Sequence, residues 1–390
     1  MGDNASAQMI LSLLILATLA TIYFLAGYPL LLSYLSWPQA PPIRKDPRHQ
    51  PTVSVLMAVY NGEAFIRAKL ETLLALHYPQ SRLQIIVVSD GSTDQTAAIV
   101  REFAAQGVLL LEVPRGGKPA ALNQGLLHAT GEILFFTDVR QPLHPDALQH
   151  LAANFADPTV GAVTGELKYL QNSAGEQADM NLYWRYELWA RDRHSRIYSL
   201  FNTTGCIYAL RHSLASPLPL DTLTDDAIIP LRAFFAGYRV IFDPDAIAYD
   251  YPTVAGAEFR RRMRTLAGLW QVHQRMPQLF LRSHRMRLHF LSHKTGRLLV
   301  PWSMLVTGLC TIALPASLGR TVLLGGEISV LAMAAADLWI PKGFPLKRFT
   351  SPARTFLIMN AAAMASTVVF FVSPQALWGT TRVDRLPSDS

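Results

Sequence analysis

Short apolar runs alternate with amphipathic stretches through the middle of the chain, and much longer apolar runs lie towards both ends. Val53–Tyr60 is nearly all apolar, has strand length and stops at Asn61-Gly62-Glu63. After it the pattern predicts a helix over about Ala64–Leu76, a strand over Leu83–Ser89 and a helix over Gln95–Ala105. A strand over Val108–Val113, a helix over Pro119–Ala129 and a strand over Glu132–Thr137 follow, then a helix (about Pro145–Phe155) and a strand (Val160–Leu170). Apolar runs this short between helix-length segments read as strands buried on both faces. Their regular alternation predicts right-handed crossovers and a parallel, doubly wound α/β sheet. Further on, the pattern predicts a polar-aromatic helix over Asp179–Tyr198 and a strand over Gly205–Leu210. A helix from Thr224-Asp225-Asp226 to Ala236 and a last strand over Arg239–Tyr249 complete it.

Met9–Leu35 is almost wholly apolar and long enough to span ~30 Å of hydrocarbon. Leu298–Leu318, Thr321–Ile340 and Thr355–Val372 are similar, and their presence argues against reading the first run as an export signal. Only Asp3 is charged ahead of the first run, whereas Arg44, Lys45 and Arg48 follow it, which places the N-terminus outside and residue 45 in the cytoplasm. Lys342, Lys347, Arg348 and Arg354, between the last two runs, should also be cytoplasmic, leaving the C-terminus outside, whereas Arg382 and Arg385 pull the other way. Glu327 and Asp337 fall towards the ends of an apolar span, where a carboxylate is expected to be paired or to face a cavity. Pro38, Pro41, Pro42 and Pro47 read as a stiff linker. The resulting division is a transmembrane helix over 9–36, an α/β domain over 51–255, interfacial helices over 256–297, three transmembrane helices over 298–373 and a tail over 374–390.

Composition agrees with that division. Of 390 residues 50% are hydrophobic and 16% charged, and the charge deficit sits in the long apolar runs. A formal charge of +7 is compatible with nucleic acid, an anionic membrane face or a phosphorylated substrate. From Glu258 to Arg297 ten Lys and Arg residues face that one acid, with Leu266, Leu269, Trp270, Phe280 and Phe290 among them. Basic residues mixed with large apolar ones beside membrane spans describe helices in the bilayer interface, so membrane lipids and not nucleic acid are the expected partners. Cys206 and Cys310 have neither metal-ligand spacing nor the pattern of a disulfide framework; Cys206 reads as a small buried hydrophobe.

Two predicted strands end in carboxylates, Asp90 and Asp138, and between them Gly116-Gly117-Lys118 opens a helix. In an open α/β sheet the ligand crevice lies outside the carboxyl ends of the strands. Free N–H groups at a helix start and a lysine suit an anion, so two acids and one lysine there suit a metal-chelated nucleoside diphosphate. Asp90 can accept hydrogen bonds from a base or ribose, or cap the turn after it. Asp94 reads as the N-cap of the helix at Gln95.

Val59-Tyr60-Asn61, Asp90-Gly91-Ser92-Thr93-Asp94, Gly117-Lys118-Pro119-Ala120-Ala121-Leu122-Asn123, Thr137-Asp138 and Thr224-Asp225-Asp226, in this order, resemble the motifs of membrane-bound family-two glycosyltransferases. Those include the hyaluronan, chitin-oligosaccharide and cellulose synthases and the poly-N-acetylglucosamine enzymes, and the likeness covers about Pro51–Arg264. It implies a glycosyltransferase A-type domain (α/β, Rossmann-like, mostly parallel sheet) with interfacial and transmembrane helices, and inverting transfer from a UDP-sugar. By the resemblance, Tyr60, Asn61, Glu63, Asp90, Lys118 and Asp138 would contact the donor, Asp138 would hold Mg²⁺ or Mn²⁺, and Asp226 would be the general base. Asp225 stands where the family has Glu. Arg261 and Arg264 fall in a Gln-x-x-Arg-Trp motif near the membrane, so Arg264 would meet the leaving diphosphate.

Besides Asp225, the chain departs from that pattern at three positions, one of them Arg261, which replaces the glutamine. Arg140 replaces a second metal-binding Asp, though it could neutralise phosphate directly. Thr265 replaces the tryptophan on which processive enzymes rest the acceptor sugar, so a single transfer to a lipid-linked acceptor competes with polysaccharide synthesis. The expected enzyme lies in the inner membrane with its catalytic domain cytoplasmic and takes a lipid or glycan acceptor. A degenerate membrane scaffold and a nucleotidyltransferase are the readings from other classes. The sequence leaves the oligomeric state open.

Overall fold

A computed structural model describes residues 2–36, 42–169, 177–251, 255–281, 284–341 and 343–377, leaving aside the side chains of 2–4, 177–183, 255–258 and 375. Expectations about Pro38, Pro41, Pro42, Leu170, Arg282, Lys342, Arg382 and Arg385 lie outside the described residues. The chain forms two compact units. One gathers Met1–Trp37, Asn172–Ala190 and Ala255–Val372, and the other Pro38–Gln171, Arg191–Val254 and Ser373–Ser390.

The chain starts in helices α1 (Gly2–Ile22) and α2 (Tyr28–Leu35), joined without a break by a wide π-turn over Tyr23–Gly27. The α/β unit follows: β1 (Val53–Val59), α3 (Glu63–Leu74), β2 (Leu83–Asp90), α4 (Thr96–Glu102), β3 (Val108–Val113), α5 (Lys118–His128), β4 (Ile133–Phe136), α6 (Ala147–Ala153) and β5 (Val160–Tyr169). Helix α7 (Gln177–Ile197), β6 (Tyr208–Arg211), α8 (Asp225–Phe235) and β7 (Arg239–Asp250) complete that stretch. Then come α9 (Ala255–Arg275), the single turn α10 (Arg287–His289), α11 (Gly296–Ala313), α12 (Leu318–Ala336) and α13 (Lys347–Ala365).

The seven strands form one sheet in the order β3-β2-β1-β4-β6-β5-β7. Strands β1 to β4 pair in parallel, as their alternation with helices predicted. Strand β6 runs antiparallel to both β4 and β5, so the sheet is mixed rather than wholly parallel. Val55, Leu56 and Met57 of β1, Ile86 and Val87 of β2 and Leu134 and Phe135 of β4 are fully buried, because helices cover both faces. The strand order reverses between β1 and β4, and a crevice forms beyond their carboxyl ends at such a reversal.

In the other unit, four helices are long and apolar enough to cross a membrane: Ala5–Leu35, Arg287–Ala313, Leu318–Ala336 and Lys347–Phe370. All four begin earlier than the apolar count suggested, the second and the fourth by two turns or more. Lys347, Arg348 and Arg354, expected in a loop, therefore lie on α13. The reason is Asp337, just past the end of α12, whose carboxylate accepts bonds from Lys347 Nζ (3.0 Å), Thr350 Oγ1 (2.8 Å), Ser351 Oγ (2.9 Å) and Arg354 (3.3 Å). One acid thus ties two helices at their turn. Glu327 sits in mid-helix rather than near an end, and accepts a bond from Thr311 Oγ1 of α11 at 3.0 Å. Both carboxylates have partners, as is expected of acids on helices apolar enough to cross a membrane.

Candidate active site

The site grows from loops at the carboxyl edge of β1, β2 and β4. After β1 the chain turns through Asn61, whose φ of 48° is the left-handed conformation that Asn tolerates. The Asn61 Oδ1 accepts from the Thr93 N–H at 2.8 Å, tying this turn to the one after β2. The next pair is reciprocal. The Glu63 carboxylate accepts from the Gln95 N–H and the Asp94 carboxylate accepts from the Glu63 N–H, both at 3.0 Å. Asp94 also takes the Thr96 N–H at 3.0 Å, the capping expected of it. Glu63 and Asp94 thus each satisfy a free N–H at the start of the other's helix.

Asp90, at the tip of β2, is buried. It accepts from Gly116 N–H (2.7 Å) and Gly117 N–H (3.0 Å) and pairs with the Arg115 guanidinium. Gly117 has a φ of 87°, which favours glycine, and it leads directly into α5. Arg115 lies over the Tyr60 ring, 3.8 Å from its centroid. Tyr60, Arg115, Asp90 and the Gly116-Gly117 turn are therefore one connected surface.

Lys118 links that surface to the remaining acids. Its Nζ donates to Asp138 Oδ1 at 2.9 Å and meets Asp225 Oδ1 at 3.2 Å. Burial works against its charge, but the carboxylates of Asp138, Asp225 and Asp226 outweigh it and hold the ammonium well above the ordinary lysine range. Asp138 follows β4, while Asp225 and Asp226 open α8, so one lysine joins residues from opposite ends of the domain. Asp226 is pushed up to about 7, first by burial and then by Asp225 beside it, with Lys118 and Arg191 pulling the other way. The Asp226 carbonyl accepts from the Thr203 N–H at 2.8 Å, which anchors the first turn of α8.

Arg140 does not point its charge into open space. It forms a two-pronged pair with Asp250, at 2.9 and 2.8 Å, and Asp250 is fully buried. Cys206 is buried too, and burial raises its thiol well above the usual range, as suits an inert side chain. Arg261 and Arg264 stand on α9 in the other unit, both partly buried and three positions apart, hence on neighbouring positions of the helix surface.

A family model described as glycosyl transferase family 2 matches residues 54–216, and one described as glycosyl transferase family group 2 matches 140–370. The chain belongs to the family 2 glycosyltransferases. It is 28% identical over 264 residues to a Bacillus subtilis protein named "Probable glycosyltransferase YdaM", covering 64% of this chain and 63% of that one. It is 27% identical over 225 residues to the Staphylococcus epidermidis poly-beta-1,6-N-acetyl-D-glucosamine synthase, covering 55% and 54%. This glycosyltransferase thus matches less than two thirds of the length of these curated relatives. Among solved structures it resembles a mannosyltransferase from Pyrobaculum calidifontis in complex with GDP-Man and Mn²⁺. The TM-score is 0.72 at 26% identity, covering 91% of this chain and 98% of that one.

Within the α/β unit of this glycosyltransferase Arg115 bridges Tyr60 to Asp90, the Gly116-Gly117 turn leads from Asp90 to Lys118, and Lys118 meets Asp138 and Asp225 directly, with Asp226 next in the chain. Three participants went unforeseen. Arg115 stacks on Tyr60. Tyr208 donates to Asp225 Oδ2 at 3.2 Å and stacks on Phe136. Lys69, buried on α3, donates to Thr137 Oγ1 at 2.7 Å and to the Gln141 carbonyl at 2.5 Å, bracketing Asp138. Only Lys69 left a trace in the sequence: a lysine at a position whose neighbours three and four away, Ile66 and Leu73, form the buried face of α3.

Proposed function

We propose that this enzyme moves a sugar, with inversion, from a UDP-sugar to a lipid-linked or glycan acceptor at the cytoplasmic face of the inner membrane. The observation that carries the reading is the bridge Asp138–Lys118–Asp225, which brings an acid at a strand tip beside the acid pair that opens α8. Asp226 is the general base: burial and the adjacent Asp225 raise its carboxyl above the usual range, which makes it a better proton acceptor for the attacking hydroxyl in the transition state. Lys118, held charged, offers its ammonium to the departing diphosphate, and Tyr60, Asn61, Glu63 and Asp90 frame the nucleotide. Arg261 and Arg264 are assigned to the diphosphate or the acceptor by the motif that they resemble.

A divalent ion fits this site in a spare form. Among the described residues no three His, Cys, Asp or Glu side chains converge as a metal cage. One or two carboxylates suffice where substrate phosphates complete the shell, and the partly exposed Asp138 supplies one. Mg²⁺ or Mn²⁺ held there would neutralise diphosphate charge. The Arg140–Asp250 pair leaves no second acid at the usual place, and its guanidinium is already balanced by Asp250.

A GDP-sugar donor is the second reading, favoured by the mannosyltransferase that matches nearly end to end. A processive variant is favoured by the likeness to poly-beta-1,6-N-acetyl-D-glucosamine synthase, and Thr265 argues against it. Solubilised enzyme incubated with a panel of UDP- and GDP-sugars and membrane lipid extract, with products identified by mass, tests all three. A single added sugar with release of UDP is the expected result. Long chains from one donor would select the polymerase, and release of pyrophosphate would refute sugar transfer.

A further inference from the structure

The unit that holds the four long apolar helices carries a half-open cavity of about 500 Å³, within the usual size of small-molecule sites. One part of its wall is apolar: Phe24, Leu266, Val300, Phe356 and Met359. Another part carries His293 and Arg297, and none of the lining side chains is a carboxylate. Behind it, the buried Glu187 accepts from Lys294 at 3.2 Å and from Arg297 at 2.5 Å, with His293 Nε2 3.6 Å away. Arg297 thus stands both on the cavity wall and in this buried cluster, which fixes its side chain in place. A guanidinium suits phosphate because its planar fork binds two oxygens at once. An apolar wall continuous with a cationic corner matches an amphiphile with an anionic head.

We propose that this cavity holds one phosphate-bearing lipid, its phosphate against Arg297 and His293 and its hydrocarbon along Leu266, Phe356 and Met359. Such a lipid could be the sugar acceptor, a polyprenyl phosphate, or a resident membrane phospholipid, and the two share the chemistry that the cavity selects. Only the acceptor version rests on the function proposed above.

The test uses the full chain, stripped of lipid in detergent and titrated with polyprenyl phosphate, polyprenol, phosphatidylglycerol or phosphatidylethanolamine, with bound lipids counted by native mass spectrometry. One phosphate lipid per chain is expected, retained at least tenfold better than polyprenol. Met359→Trp, which fills the cavity without touching the charges, should lower retention at least tenfold while the protein still elutes as a folded species. Arg297→Gln should reduce the preference for phosphate over polyprenol. Tighter binding of polyprenyl phosphate than of phosphatidylglycerol assigns the acceptor, and the reverse assigns a resident lipid. Unsaturable binding, equal retention of polyprenol, or unchanged retention in Met359→Trp would overturn the proposal. Nucleotide release from the donor, measured on the same samples, separates the two ideas: sugar transfer only to soluble glycans would refute the lipid acceptor and leave the lipid site standing.

Discussion

Lys69 offers a test that needs no substrate. Its amine lies inside the α/β unit and donates to Thr137 Oγ1 and the Gln141 carbonyl, which two N–H groups satisfy without a positive charge. Burial pushes its pKa down from 10.5 to about 7, against Cys206 and Asp138, which favour the charged form. Between those values the unfolded chain binds a proton that the folded chain does not, so stability rises with pH across the window. The full drop corresponds to on the order of 5 kcal/mol, or about 1.4 kcal/mol per pH unit. The buried Cys206 thiol, raised by burial, acts with the opposite sign once pH passes the ordinary thiol value of 9.0. The useful range is therefore about pH 7 to 8.5. Thermal unfolding in detergent is measured across it for the parent and for Lys69→Met, whose side chain does not titrate. At about 2–4 °C per kcal/mol for a unit of this size, the parent should gain roughly 3–5 °C per pH unit relative to the variant. The variant also strands the Thr137 and Gln141 oxygens, a loss of about 1–3 kcal/mol each, but that penalty does not change with pH. Parallel profiles would show that Lys69 keeps its proton and that the reasoning is wrong.

Other consequences follow from the same geometry. Asp226→Asn should bind nucleotide normally and lose at least ~10²-fold in turnover. In the parent, turnover should climb as pH passes through about 7, where the Asp226 carboxyl ionises; a near-normal rate in the variant contradicts the base assignment. Asp138→Asn should abolish donor turnover, and full activity of the parent in excess chelator would remove the metal from the chemistry. Asp337→Ala breaks the tie between α12 and α13 and should destabilise by about 1–3 kcal/mol, since Lys347 and Arg354 are partly exposed and can be resolvated. Donor affinity should not change, which a nucleotide titration would check.

The parallel core of the sheet was legible because its strands are continuous apolar runs and each ends in a turn with recognisable residues, as Val53–Val59 does at Asn61-Gly62. The antiparallel β6 was not, since four residues carry no direction and their pairing is decided by β4 and β5 on either side. The carboxylates and Lys118 were legible because each sits at a position where the chain turns. What they touch was not: Arg140 and Asp250 are 110 positions apart, and Arg115, in the turn after β3, reaches Tyr60 after β1 only across Asp90 at the tip of β2. Helix boundaries near the membrane were displaced for a similar reason. Hydropathy counts apolar residues, whereas Lys347 and Arg354 belong to α13 through their bonds to one distant acid.

The Arg140–Asp250 pair also bears on how this sequence could change. Replacing Arg140 by aspartate would set two carboxylates together, one of them in the dry interior. Losing a buried counter-charge costs about 3–5 kcal/mol, a large share of the margin that keeps a domain folded. Arg140→Asp alone should therefore lower the melting temperature sharply, and adding Asp250→Asn should recover most of it. The two positions therefore constrain each other, since neither charge can be removed at low cost unless the other goes with it.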